Sequence, residues 1–158
     1  MEQMDNLFSK YLSCLYREER KYLNRMLREQ RLGSAAVRFM MYIYHNQGSN
    51  QKTVCSAMGI DEGLGTRVMR KLEEEGMIVR TNSPEDARSH LLQVTEKGEI
   101  FVQQCKQLQR EFWKEVGGWL TEDQKQKVMQ VMEQLAENAQ QFNQQLAQKK
   151  EGGNKDGE

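Results

Sequence analysis

At 158 residues the chain has room for one domain and one substantial core. Its 23 basic and 23 acidic residues cancel, so bulk charge gives no attraction to nucleic acid; such a surface would need its cations sorted onto one face. No apolar run of about 18 residues occurs and the first residues lack a signal-peptide core, so neither a membrane-spanning helix nor a secretory leader is expected.

Cysteines at positions 14, 55 and 105 are odd in number and far apart, unlike a disulfide framework or a metal site. That fits a reducing, cytoplasmic setting. Only two histidines are present, His45 and His90, without metal-type partner spacing. There is no phosphate-cradling loop and no Ser-His-Asp spacing. The residues therefore predict neither an enzyme nor a cofactor.

One proline among abundant Gln, Glu, Lys, Leu and Met predicts a largely helical chain. From Met4 to Leu27, apolar residues three and four apart give one long amphipathic helix. Arg17, Arg20, Lys21, Arg25 and Arg28 lie on its other face. GSAAVRFMMYIYHNQG is apolar on nearly every side, which predicts a core helix with Ser34 as its cap and Gly48 as its stop.

NQKTVCSAMGI follows, a short helix from about Asn50 to Gly59. Asp61 is placed to cap the next, DEGLGTRVMRKLEEEGMI, which stops at Gly76 and has Val68, Met69 and Leu72 on its apolar edge. Two short helices about a tight turn form a helix-turn-helix layout. MIVRTN and HLLQV then read as short strands around the SPEDARS turn, with Leu92 and Val94 on one face.

Thr95 opens a helix carrying Ile100, Phe101, Cys105, Leu108, Phe112, Trp113 and Val116, which Gly117-Gly118 ends or bends. TEDQ, Thr121 to Gln124, is a capping box. The last helix carries Val128, Met132, Leu135, Ala139, Phe142 and Leu146, spaced four and three alternately as in a heptad seam. Residues 151–158, EGGNKDGE, have nothing to bury and read as a disordered tail. The apolar stripes at the two chain ends are read as pairing across a twofold axis, giving a homodimer.

In order and in residues, positions 5 to 147 resemble the MarR family of winged helix-turn-helix transcription regulators, of MarR/SlyA type. Gln51-Lys52, Gly59-Ile60-Asp61, Thr66-Arg67, Leu72-Glu73 and Gly76 fall where the family's helix pair has them. SPEDARSHLLQVTEKG is similar to its wing, with Asp86 and Arg88 in the turn and Val94-Thr95-Glu96-Lys97-Gly98 after it. The resemblance implies a mainly α fold with a small β-hairpin wing. One MarR-like domain would span 1–150: dimerisation helices at about 4–30 and 96–147, with the core helix and DNA-binding lobe at about 34–95.

The function it implies is a DNA-binding regulator, a repressor in most members, released by a small molecule. As a homodimer it would place the second helix of each pair in a major groove of a double-stranded, palindromic operator. Half-sites would lie on the order of 10 base pairs apart.

The residues expected at DNA are Thr66, Arg67, Arg70 and Lys71 on the second helix and Asn50, Gln51 and Lys52 at the start of the first. In the wing, Arg88 would enter a minor groove, whose negative potential suits a guanidinium, while Asp86 would shape the turn. Relatives usually carry Ser or Thr where this chain has Gly63 and Leu64. Gly63 and Gly65 would either bring the helix close to the DNA backbone or weaken base reading. Glu73-Glu74-Glu75 are expected to face away from the phosphates.

By the same resemblance, Tyr16, Arg17, Arg20, Phe39, Tyr42 and His45 would line a site for a phenolic or carboxylate effector. A redox alternative rests on Cys14, although the sensing cysteine of peroxide-responsive relatives falls nearer Ser9. Cys55 and Cys105 read as core residues. A helical protein-interaction adapter without DNA affinity is the remaining alternative.

Overall fold

The computed structural model describes residues 2–30, 32–82 and 90–152, with side chains described between 7 and 148. Asp86, Arg88 and the tail from 153 on lie outside the described residues. The chain divides into two compact units, Met1–Trp113 and Lys114–Glu158.

In the first unit, α1 (Glu2–Met26) leads through a short 3-10 turn to α2 (Ser34–His45), α3 (Gln51–Met58) and α4 (Glu62–Glu74). Strands β1 (Ile78–Asn82) and β2 (His90–Val94) follow, then α5 (Glu96–Gly117). The fold is mainly α with a two-stranded antiparallel hairpin, registered from Ile78 opposite Val94 to Asn82 opposite His90. Among the described residues no helix is long and apolar enough to cross a membrane.

The core gathers around α2. Phe39, Met40 and Ile43 are fully buried there with Leu27 just after α1, Met69 and Leu72 of α4, Leu92 of β2 and Val102 of α5. Each such side chain stabilises the fold by about 1.5–3 kcal/mol relative to exposure. The α1 stripe, continuous in sequence, divides in space: Leu23 and Leu27 enter the core, while Leu7, Phe8, Tyr11, Leu12 and Leu15 stay exposed.

Caps made from neighbouring residues form as their spacing dictates. Asn50 Oδ1 accepts from the Thr53 amide at 2.8 Å, and Asp61 Oδ1 from Gly63 and Leu64 at 2.9 and 3.1 Å. Gly59, with φ of 61°, ends α3 in the left-handed conformation that glycine adopts without strain. The cap of α2 differs from expectation. Gly33 holds the cap position, and Ser34 is the first helical residue. The Ser34 amide donates to Asn24 Oδ1 of α1 at 2.7 Å, so the cap comes from ten residues away.

The hairpin also gains an edge that the sequence reading did not foresee. The Leu92 amide donates to the Ser49 carbonyl at 3.0 Å, and its carbonyl accepts from Gly48 at 2.9 Å. Asn50 bridges Leu91, so the α2–α3 loop lies along β2.

Thr95-Glu96-Lys97-Gly98 forms a clasp between the helix-turn-helix and α5. Thr95 Oγ1 donates to the Gly76 carbonyl at 2.7 Å and accepts from the Gly98 amide at 3.1 Å. Lys97 Nζ donates to the Glu75 carbonyl at 2.6 Å, at the end of α4. Gly98 lies against the Met77 carbonyl, where a Cβ has no room.

The second unit contains the end of α5, a turn and α6 (Glu122–Gly152). Its capping box closes in both directions: the Thr121 amide donates to Gln124 Oε1 at 2.9 Å, and the Gln124 amide to Thr121 Oγ1 at 3.3 Å. The seam residues Val128, Met132, Leu135, Phe142 and Leu146 are all exposed in the single chain.

Candidate nucleic-acid interface

The α3–α4 joint is tighter than its sequence suggests. Gly65 is buried, and a Cβ there would overlap Cys55 Sγ. This glycine brings α4 against α3 and faces away from the surface. Gly63, two residues earlier, is exposed, and a Cβ on it would sit 3.0 Å from the capping Asp61 oxygen. The two glycines read together in the sequence therefore do different things.

Burying Gly65, Met69 and Leu72 turns the opposite face of α4 outward, and Thr66, Arg67, Arg70 and Lys71 are all exposed on it. Arg67 and Lys71 also border a cleft of about 270 Å³ beside Gly33, Ala35 and Ala36 at the start of α2. Arg70 Nε pairs with Glu74 Oε1 at 3.1 Å, both side chains well exposed. Such a pair contributes little stability and leaves the guanidinium free to exchange partners. Glu74 thus shares the face of Arg70, contrary to the expectation that all three glutamates turn away.

At the start of α3, Lys52 is exposed and Asn50 caps the helix. Gln51 turns inward: its Oε1 accepts from Arg80 at 3.1 Å and its Nε2 donates to Thr66 Oγ1 at 2.7 Å. Arg80, on β1, also donates to Glu73 Oε2 at 3.0 Å. Sequence reasoning missed Arg80. The available signal was period two: Ile78 and Arg80 share a strand face, and an arginine beside a buried isoleucine needs partners.

A cavity of about 460 Å³ opens between α1, α2 and α3, and Tyr16, Arg20, Tyr42 and His45 line it with Arg38, Met41 and Met58. Two of the six residues named from sequence lie elsewhere. Phe39 is fully buried in the core, and Arg17 Nε pairs with Glu18 at 3.2 Å in solvent. Arg38, not foreseen, donates to the Tyr16 hydroxyl at 2.8 Å. The Arg20 and Arg38 guanidinium carbons sit 5.6 and 5.7 Å from the Tyr16 ring centroid. Arg20 also donates to Ser34 Oγ at 3.3 Å. Glu19 also lines the cavity, its Oε1 accepting from Gln109 and Trp113, so two cations face one carboxylate; the balance, beside aromatic and thioether groups, favours a flat, anionic occupant.

All three cysteines are free; Cys14 is half-buried, and Cys55 and Cys105 are buried. Burial pushes the Cys105 thiol up to about 12. The Cys55 thiol is also raised, first by burial and then by the charges of Glu62 and Asp61. Since the thiolate is the reactive form, both should resist alkylation at pH 8 in the folded protein and label only after denaturation. Peptide mass spectrometry before and after urea checks this, and native labelling at either site would contradict the burial.

Comparison with known proteins adds four findings. Residues 32–90 match the family model described as MarR family. BilQ of Clostridium symbiosum (strain WAL-14163), an HTH-type transcriptional regulator, is 25% identical over 132 residues, covering 84% of this chain and 92% of BilQ. A MarR transcriptional regulator from Methanosarcina mazei Go1 matches with a TM-score of 0.82 at 26% identity, covering 87% of this chain and 99% of that one. A MarR family regulator from Listeria monocytogenes, solved in complex with a 26mer DNA, shares the fold with a TM-score of 0.74 at 20% identity, covering 82% and 86%.

Proposed function

Because the chain is a winged helix-turn-helix transcription regulator of the MarR family, we propose that it binds a palindromic DNA operator as a cytoplasmic homodimer and represses transcription until a small molecule releases it. The observation that carries this reading is the outer face of α4. It holds Arg67 and Arg70 in solvent on a helix fixed from behind by the Gly65–Cys55 contact. A helix so placed enters a major groove, where arginine reaches guanine edges or phosphates. The Listeria relative bound to a 26mer DNA supports the same use of the fold.

The remaining roles belong to the same proposal. Lys52 and the first turn of α3 suit a phosphate, and Lys71 extends the basic face of α4. By the family resemblance alone, Arg88 of the SPEDARS segment is assigned to a minor groove and Asp86 to shaping the turn. The exposed stripes of α1 and α6 are each covered by a second copy. The Tyr16–Arg20–Arg38 cavity takes the effector, a phenol or carboxylate, which shifts the DNA-binding lobes by binding one arrangement better than the other.

Fluorescence anisotropy on a random duplex at several salt concentrations tests the DNA reading. Affinity should fall with a log–log slope of about −0.9 per neutralised phosphate. The Arg67→Ala/Arg70→Ala double variant should flatten that slope by roughly two units if both side chains touch phosphates. If Arg67 instead reaches a base edge, its single alanine variant should relax operator preference and leave the slope nearly unchanged. Absence of salt-dependent binding would favour the protein-interaction adapter.

A further inference from the structure

The polar network beneath the outer face of α4 fixes which hydrogen-bonding role Thr66 can take. Arg80, with its side chain 24% exposed, donates from Nε to Glu73 and from a terminal nitrogen to Gln51 Oε1. A guanidinium has donors only, so the amide oxygen of Gln51 must face it. The amide nitrogen of Gln51 is thereby turned to Thr66, and it donates to Oγ1 at 2.7 Å. Thr66 has a single hydroxyl proton, given to the Glu62 carbonyl one helical turn back, also at 2.7 Å.

A hydroxyl offers one proton and two lone pairs. Here the proton is committed and one lone pair is filled. Thr66, exposed on α4, is left with one acceptor site and its methyl group. Phosphate oxygens and guanine N7 and O6 are themselves acceptors and cannot bond to it. In the major groove, the complementary groups are the exocyclic amines, adenine N6 and cytosine N4.

We infer that Arg80 is a positioning residue for base recognition: acting through Gln51, it holds Thr66 as an acceptor that reads an exocyclic amine in the major groove. The inference rests on the DNA-binding reading above and sharpens it. The sequence alone placed both Thr66 and Gln51 at the DNA, with no distinction of role. In the fold, Gln51 is the link between the wing strand and α4. Without Arg80 its amide can turn over, and Thr66 loses the donor that, with the Glu62 carbonyl, sets its hydroxyl as an acceptor.

The test uses the full chain and the operator recovered by selection from a random duplex pool. Each adenine or cytosine of that operator is replaced in turn by purine or 2-pyrimidinone, which lack the amine. Wild type should lose about tenfold in affinity at one position in each half-site. Thr66→Val should show no penalty there, and Arg80→Leu and Gln51→Leu should each show a penalty below about threefold. Gln51→Leu keeps the Arg80–Glu73 pair, so it reports even if Arg80→Leu folds poorly.

A merely structural role for Arg80 would lower affinity for every duplex equally and leave the amine penalty intact; that outcome overturns the inference. So does an operator in which no amine penalty depends on Thr66. If wild type binds no duplex under any salt condition, the DNA-binding reading itself fails, and this inference fails with it.

Discussion

Gly98→Ala is expected to lower the stability of the fold by about 3 kcal/mol, the upper end of the usual cost of overpacking. A Cβ at this position would overlap the Met77 carbonyl oxygen, crowd Val94 Cγ1 at 2.7 Å and meet Met40 Cε at 3.0 Å. Of these only the methionine end can move aside cheaply. The carbonyl belongs to the backbone that joins α4 to β1, and it also accepts from the Thr95 amide at 3.0 Å. Relief therefore means pulling α5 away from the helix-turn-helix and giving up the Thr95 and Lys97 bonds. For a chain of this length the melting temperature should fall by on the order of 10 °C. Gly117→Ala is the control, since its Cβ would meet Leu120 Cδ1 at an ordinary 3.7 Å. Equal melting temperatures for Gly98→Ala and wild type would show that α5 does not press on Met77 as described.

The clasp also shows where sequence reading succeeds and where it stops. Thr95 was recognisable as a helix opener because its partner, the Gly98 amide, is three residues away. Asn50, Asp61 and the Thr121–Gln124 pair were recognisable for the same reason: local chemistry leaves a local pattern. Ser34 was misread as a cap because the real acceptor, Asn24, belongs to another helix. Separation in sequence also hid Arg80, whose partner Gln51 is 29 residues away. Gly65 looked like a feature of the surface, yet its role depends on Cys55 of the preceding helix. Spacing identified the helix but not which neighbour lay behind each position.

The cavity follows the same division. The family resemblance named Tyr16 and Arg20 of the first helix with Tyr42 and His45 of the core helix, and all four line it. On an all-apolar helix, however, periodicity does not say which face meets solvent. Phe39 went into the core while Arg38, its neighbour, became a wall of the cavity. Arg17 lies one residue past Tyr16 on α1, and that step of about 100° carries it into solvent beside Glu18.

The largest effect on DNA binding is expected from α6, far along the chain from the α4 face. Leu135→Asp should convert the protein to a monomer at micromolar concentration and weaken operator binding by more than about a hundredfold. Val128, Met132, Leu135, Phe142 and Leu146 lie along one seam of a helix otherwise rich in Gln and Glu, and Leu135 and Phe142 are 43% and 61% exposed in the single chain. Covering five such side chains gives on the order of 10 kcal/mol at full burial. Association costs about 4–15 kcal/mol in lost freedom, so α6 alone is marginal. The α1 residues Leu7, Phe8, Tyr11, Leu12 and Leu15 add comparable area. A carboxylate in the middle of the seam enters twice under a twofold axis, costing several kcal/mol of desolvation in all, enough to exceed a modest surplus. One lobe can still meet one half-site, so weak, salt-sensitive binding should survive while the cooperative part disappears. Gln144→Asp, on the opposite side of α6, should leave both association and binding unchanged. Sedimentation velocity with operator titration decides the matter: a monomeric wild type, or a Leu135→Asp protein that binds operator like wild type, would remove the twofold arrangement.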